Sequence, residues 1–157
     1  KDGDRDLKLV DQMLTSLRQQ FSVDDSRIFA TGFSNGANFT YLLWAERPHV
    51  FAAYAPVAAR MLPSVHLTEA KPVLHVGGRA DRQILFAHQQ EAIETAKRAN
   101  GVAGAGAPCG PYCTLYESSS GAPVMTVNHP GGDVYPQGTS RINTKFFKKH
   151  SLAAAPR

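Results

Sequence analysis

The chain has 157 residues, 43% of them hydrophobic and 19% charged, which is the length and composition of one soluble globular domain with its own core. No apolar run approaches the roughly 20 residues that cross a bilayer, so a membrane-spanning helix is not expected. The 17 Lys and Arg outnumber the 13 Asp and Glu to give a net charge of +4. The basic residues are scattered rather than striped, so a nucleic-acid partner is not expected either.

The first part of the chain predicts two helices and two strands. Apolar spacing predicts a helix over 4–21, and β-branched and aromatic residues predict a strand over 27–31. A second helix is predicted from 35 to 46, ended by Pro48, and a second strand over 51–57. The apolar stripe expected to pack the first helix consists of Leu7, Val10, Leu14, Leu17 and Phe21.

The second part continues the alternation. A strand over 72–76 is apolar throughout, as in a parallel sheet that is buried on both faces. A helix over 86–99, a loop rich in Gly, Ala and Pro over 100–111, a strand over 123–128 and a helix over 139–150 follow. Strands that alternate with helices predict an α/β fold with a doubly wound parallel sheet.

Residues 1–150 are therefore expected to form one domain, and 151–157 a frayed tail. In such sheets ligands bind beyond the carboxyl ends of the strands. Ser34, Asp81 and the loop after Asn128 all follow predicted strand ends.

A glycine-rich turn joins the strand at 27–31 to the helix at 35–46. It reads GFSNG at 32–36. A Gly-x-Ser-x-Gly turn between a strand and a helix raises the serine hydroxyl above the edge of the sheet. Gly32 and Gly36 are expected there because the tight turn leaves no room for Cβ atoms. The alternative interpretation is an ordinary Ser-Gly turn or a helix N-cap.

Four segments carry a family resemblance. They read ATGFSNG at 30–36, FAAYAPVA at 51–58, PVLHVGGRAD at 72–81 and PGGDVYP at 130–136. Together they resemble the polyhydroxybutyrate depolymerase and feruloyl esterase type of α/β-hydrolase. The similarity extends from the first predicted helix to the last, and the segments at 30–36 and 72–81 are its most specific parts.

The resemblance implies an α/β-hydrolase fold and a serine hydrolase that cleaves small or polymeric carboxylic esters. It implies Ser34 as the nucleophile and Asp81 as the acid that orients a histidine, in the chain order serine, acid, histidine. The backbone N–H of Asn35 is one expected donor to the oxyanion. Tyr135, in the loop after the last strand, is the aromatic residue best placed to touch substrate. A secreted or periplasmic location also follows from the resemblance.

The histidine is the weak point of this interpretation. Where the family pattern has Gly-Gly-His, this chain has Gly131-Gly132-Asp133. A carboxylate cannot shuttle the proton of a serine at both stages as an imidazole does. His129, four residues earlier, is the candidate substitute if the loop is rearranged. The alternative for His129 is a histidine at a strand end that the backbone satisfies.

The amino-terminal strands of the family fold have no counterpart upstream of Asp2. We therefore expect the strand before Ser34 to be a sheet edge that exposes Ile28 and Phe29, an edge that a partner would cover. A truncated chain or fragment is the interpretation that we favour over a natural minimal hydrolase.

Other residues give weaker signals. Cys109 and Cys113 form either a local disulfide or two free thiols, and a metal site is not expected. His75 is expected to be a hydrogen-bonded core residue, and His88 and Glu91 to lie on a solvated helix face. No phosphate-binding glycine pattern precedes a helix, so no cofactor is expected.

Two functions of different classes remain. The first is a serine esterase of the feruloyl or polyester type, and the second is a catalytically impaired hydrolase-like domain that binds a ligand or a partner. An acyltransferase or a peptidase also stays open, because the fold does not set the acceptor.

Overall fold

The computed structural model describes residues 4–153, and these form one sheet between two layers of helices. In chain order the elements are α1 Arg5–Gln20, β1 Phe29–Phe33, α2 Asn35–Glu46, β2 Ala53–Val57, β3 Val73–Gly78, α3 Phe86–Asn100, β4 Ala107–Gly110, β5 Cys113–Tyr116, β6 Val124–His129 and α4 Thr139–Phe147.

The sheet has the strand order β1-β2-β3-β6-β5-β4. The four neighbouring strands β1, β2, β3 and β6 are parallel, as predicted, and their carboxyl ends lie at one edge of the sheet. Phe33 pairs with Val57, and Gly78 pairs with His129. Every residue of β2 and β3 is buried, which agrees with the apolar strand predicted at 72–76.

The hairpin of β4 and β5 was not expected. It extends the sheet with two antiparallel strands where the sequence predicts a loop, so the sheet is mixed rather than wholly parallel. The sequence signal is absent because β4 is exposed throughout and contains Pro108, which lacks an N–H. A disulfide between Cys109 and Cys113 closes the hairpin, which decides between the two alternatives for these cysteines.

The helices cover the two faces of the sheet unequally. One face carries α1, α2 and α3, with Trp44 of α2 stacked on Tyr54 of β2 at 5.5 Å between ring centroids. The other face carries α4, whose Phe146 packs on the apolar side chains of β2, β3 and β6. Phe147, the last residue of α4, stacks on Phe29 of β1 at 4.7 Å between ring centroids.

The apolar stripe predicted on α1 is only partly correct. Leu7 is buried, and Val10 and Leu14 pack against the core, but Leu17 and Phe21 are 42% and 62% exposed. Leu9 and Met13 are exposed as well. The helix therefore packs on the core as far as Leu14, and the apolar side chains beyond that point are exposed.

The ends of the described chain bear on two further expectations. Strand β1 is a sheet edge among residues 4–153, as predicted, but Ile28 and Phe29 are half-buried because each packs on a core cluster. The amide of Leu152 donates to the carbonyl of Ser26 at 2.8 Å, so the start of the predicted tail is held, and 154–157 lie outside the described residues. No helix in the part of the chain that the structure describes is long and apolar enough to cross a membrane.

Helix α2 and strand β1 approach each other closely at Gly32. A Cβ there would collide with the carbonyl group of Gly36 and would lie 2.8 Å from the amide nitrogen of Ala37, and all of these are backbone atoms that cannot swing away. At Gly36 a Cβ would meet nothing within 4 Å. The steric requirement predicted for both glycines is therefore correct for Gly32 and wrong for Gly36.

These two positions form a matched pair for a stability measurement. Gly32→Ala is expected to lower the free energy of unfolding by about 3 kcal/mol, because the helix must move away from the strand. Gly36→Ala is expected to leave it unchanged or raise it by up to about 1 kcal/mol, because alanine favours the helix. Urea unfolding of both variants measures the difference, and equal stabilities would contradict the close approach.

Candidate active site

Ser34 has the backbone conformation that makes the turn at 32–36 unusual. Its φ of 53° and ψ of −116° lie in a region that side-chain-bearing residues rarely adopt. Its N–H donates to the carbonyl of Val57 at 2.9 Å, and its own carbonyl accepts from Ala37 and Asn38 in the first turn of α2. The side chain makes no capping hydrogen bond to α2. The hydroxyl is therefore not used as a helix cap.

A polar groove opens in front of Ser34, with a volume of about 390 Å³. Its lining consists of Ser34, Asn35, Asn38, Arg60, Gln83, Ile84 and Asp133. Asn38 holds the backbone of Arg60 in place by accepting its N–H at 2.9 Å. Asn35 begins α2, where backbone N–H groups have no intrahelical partner and carry the positive end of the helix dipole. The groove can therefore receive an anionic oxygen beside the serine.

Asp81 lies just after β3 and is 4% exposed. Its Oδ1 accepts the N–H groups of Gln83 and Ile84 at 2.8 and 2.9 Å, and its Oδ2 accepts Nε2–H of Gln89 at 2.9 Å. Three N–H donors thus compensate the cost of burying this carboxylate.

Gln89 links Asp81 to the core of the protein. It is fully buried, and its second Nε2 hydrogen goes to the carbonyl of Ile84 at 2.7 Å. Its Oε1 accepts from Nε2 of His75 at 3.4 Å, which leaves Nδ1 of His75 to accept the hydroxyl of Tyr41 at 2.8 Å. Burial lowers the pKa of His75 to about 4, so this histidine is neutral at pH 7. The prediction of a hydrogen-bonded core histidine is confirmed.

Sequence reasoning missed Gln89. A signal existed, because this amide occupies the inner stripe of α3 together with Ala92, Ile93 and Ala96, which are all buried. A polar residue in such a stripe needs buried partners. Its position alone did not indicate that Asp81 would be one of them.

The loops after β3 and β6 lie against each other. Ala80 donates its N–H to the carbonyl of Gly131 at 3.0 Å, and Arg79 donates its N–H to the carbonyl of His129 at 2.9 Å. A Cβ on Gly78 would collide with the carbonyl oxygen of Gly132. The glycine at 78 therefore allows the loop that carries Asp133 to approach the loop that carries Asp81.

Asp133 shares the groove lining with Ser34. Its Oδ1 is buried and has no hydrogen-bond partner among residues 4–153. A carboxylate oxygen that is buried without donors is costly to the fold. Residue 133, where the resemblance leads one to expect a histidine, therefore lines the groove, but its Oδ1 is not exposed there.

His129 occupies the carboxyl end of β6, and the described lining of the groove does not include it. Its Nδ1 accepts the N–H of Gly131 at 3.1 Å, so in the neutral ring the proton is on Nε2. Burial lowers the pKa of His129, and the nearby charge of Asp81 opposes this shift. A base in a Ser-His-Asp triad needs the opposite tautomer, with Nε2 free to accept the serine proton.

Tyr135 is not among the described lining residues of the groove. Its ring packs edge-on against Phe33, the neighbour of Ser34, at 6.1 Å between centroids. Its hydroxyl lies 3.2 Å from Oγ of Ser140, and 42% of the residue is exposed. No group of three or more His, Cys, Asp or Glu in 4–153 is arranged to hold a metal ion.

Sequence comparison finds esterases over parts of the chain. No family model matches. A bifunctional acetylxylan esterase/xylanase from Neocallimastix patriciarum is 28% identical over 80 residues, which are 50% of this chain. A poly(3-hydroxyalkanoate) depolymerase C from Paucimonas lemoignei is 41% identical over 49 residues, which are 31% of this chain. The matched region spans 12% of the length of each relative.

Solved structures match nearly the whole described chain. An acetyl xylan esterase from Aspergillus awamori superposes with a TM-score of 0.68 at 15% identity, over 90% of this chain and 66% of the esterase. A Bacillus cereus carboxylesterase superposes with a TM-score of 0.67 at 18% identity, over 90% of this chain and 58% of the carboxylesterase. The chain therefore has the α/β-hydrolase fold of these esterases, which confirms the fold class and the resemblance that the sequence motifs indicate.

Proposed function

We propose that this chain hydrolyses carboxylic esters by acyl transfer through Ser34 to water. The backbone of Ser34 is the observation that carries the proposal. A serine held at positive φ between a strand and a helix, with its hydroxyl free of capping hydrogen bonds, is poorly suited to stabilising the fold alone and well suited to nucleophilic attack.

The geometry supports the roles that we assign to the other residues. As Oγ of Ser34 attacks an ester carbonyl, the carbonyl oxygen gains negative charge. The N–H of Asn35 at the positive end of α2 is the donor that we assign to this oxyanion, and one such donor is worth about 3–4 kcal/mol. Asp81 is the acid that we assign to orient an imidazole, which applies if His129 is the base. Because Tyr135 is not in the described lining, we expect it to contact only bulky esters that extend beyond the groove.

Turnover depends on the base that accepts the proton of Ser34. We assign the proton of Ser34 to Asp133, because this residue lines the same groove. A carboxylate is a weaker base than an imidazole, so we expect slow turnover. His129 is the alternative base, as the sequence suggests, but that role requires it to release the N–H of Gly131 and to change its tautomer.

The names of the sequence relatives support a proposal for the substrate class. They include acetylxylan esterase and poly(3-hydroxyalkanoate) depolymerase, so acetylated polysaccharide joins the feruloyl and polyester substrates that the motif resemblance implies. The polar lining of the groove, with Asn38, Arg60 and Gln83, favours an oxygen-rich substrate such as acetylated polysaccharide.

A second candidate function is a hydrolase-like domain that binds a ligand without turning it over. Asp133 is the observation that favours it, because a carboxylate in the groove lining is a weaker base than the imidazole that the resemblance leads one to expect. The two functions make different predictions for variants at this position.

The first prediction concerns Ser34. A fluorophosphonate probe is expected to label the intact chain at Ser34, and p-nitrophenyl acetate is expected to be hydrolysed slowly but above background. Ser34→Ala should abolish both, while Ser140→Ala, at a serine outside the groove lining, should abolish neither. Peptide mapping by mass spectrometry locates the label. Labelling elsewhere, or equal hydrolysis by the Ser34→Ala variant, would rule out this nucleophile.

The second prediction concerns Asp133. Asp133→His is expected to raise the turnover of p-nitrophenyl acetate by about 10²–10⁴-fold, the usual contribution of a general base. Its rate should rise with pH through about 6.5, because only the neutral imidazole accepts the proton. His129→Gln, added to the Asp133→His variant, is the matched change and should leave this gain in turnover intact. An unchanged rate in the Asp133→His variant would favour the binding domain, and loss of the gain with His129→Gln would identify His129 as the base.

A further inference from the structure

A second cavity lies on the α4 face of the sheet. It has a volume of about 290 Å³, near the lower end of small-molecule sites. Met125 and Val127 of β6 and Ile142 and Phe146 of α4 form an apolar floor. The disulfide hairpin forms the side wall through Cys109 and Cys113.

The rim of this cavity is cationic. Lys145 in the last turn of α4 and Lys149 in the turn that follows the helix both line it. Neither lysine takes part in an ion pair with any residue from 4 to 153. The described lining contains no Asp or Glu. The cavity therefore combines an apolar interior with an uncompensated positive charge at its mouth.

We propose that this cavity binds a free single-chain carboxylate such as octanoate. The alkyl chain would lie on the floor of Met125, Val127 and Phe146, and the carboxylate would lie between the ammonium groups of Lys145 and Lys149. An alcohol of the same length would gain the apolar contacts without the ion pairs, and a cationic amphiphile would be repelled. The charge thus selects the head group, and the floor selects the chain.

This site is independent of the proposed esterase activity. The cavity and the Ser34 groove share no lining residue. The hairpin also lies at the opposite edge of the sheet from β1. A partner that covered β1 would therefore be separated from the cavity by the intervening strands.

Methionine methyl NMR tests the proposal in the full chain with its disulfide intact. The chain contains three methionines, and each reports a different place. Met125 lines the cavity, Met61 lines a separate one beside Arg60, and Met13 is exposed on α1. Octanoate, titrated below its micelle concentration, is expected to shift the Met125 methyl signal saturably and to leave Met13 and Met61 unchanged.

Chain length and head group give the next readouts. Each methylene added from butanoate to octanoate is expected to tighten binding by about fourfold, the effect of burying one CH₂. Octanol should bind at least tenfold more weakly than octanoate. A flat dependence on chain length, or equal binding of octanol, would overturn the proposal.

Paired lysine variants complete the test. The double variant Lys145→Ser and Lys149→Ser is expected to weaken octanoate binding at least tenfold and to remove the preference over octanol. Lys148→Ser is the matched control, because Lys148 is a neighbouring exposed lysine that does not line the cavity. A shift at all three methionines, no shift at Met125, or equal losses in the double variant and the control would each contradict the site.

Discussion

The candidate active site depends on the close approach of α2 to β1 at Gly32. A positive φ at Ser34 costs on the order of 1–3 kcal/mol, and such strain persists only where the surroundings enforce it. Here the enforcement comes from both sides: the N–H of Ser34 is bonded to β2, and its carbonyl is bonded to the first turn of α2. The absence of a Cβ at Gly32 lets the helix begin one residue after the serine. The sheet and the helix together thus fix the direction of the hydroxyl.

A buried hydrogen-bond network fixes the position of Asp81. Asp81 is held by its own loop and by Gln89, which is held in turn by His75 and Tyr41 in the core. Since Nε2 of Gln89 donates to a carboxylate, its Oε1 must face His75, and the tautomer of His75 follows. Every member of this buried chain depends on the next, which is the condition under which a polar network is stable in a core.

The sequence predicts the parallel strands and the turn at Ser34 because their signals are local: apolar runs, alternating elements and a glycine-serine motif. The hairpin of β4 and β5 has no such signal, because its pairing comes from the free edge of β6 and from the disulfide. The exposure of Leu17 and Phe21 was missed for a similar reason. An apolar stripe shows that a helix has a face to bury, but it does not show how far along the helix a neighbour extends. The role of Gln89 likewise requires the three-dimensional position of Asp81.

The residue at 133 affects the electrostatics of the groove as well as its proton chemistry. In the proposed mechanism Asp133 takes the proton of Ser34 as the oxyanion forms, and a protonated carboxyl carries no charge. The positive end of α2 would therefore stabilise the oxyanion without an opposing charge from residue 133. A histidine at this position would be the stronger base and, once protonated, would add a positive charge near the oxyanion. The aspartate therefore limits the rate at the proton transfer and lacks an attraction that a histidine would supply.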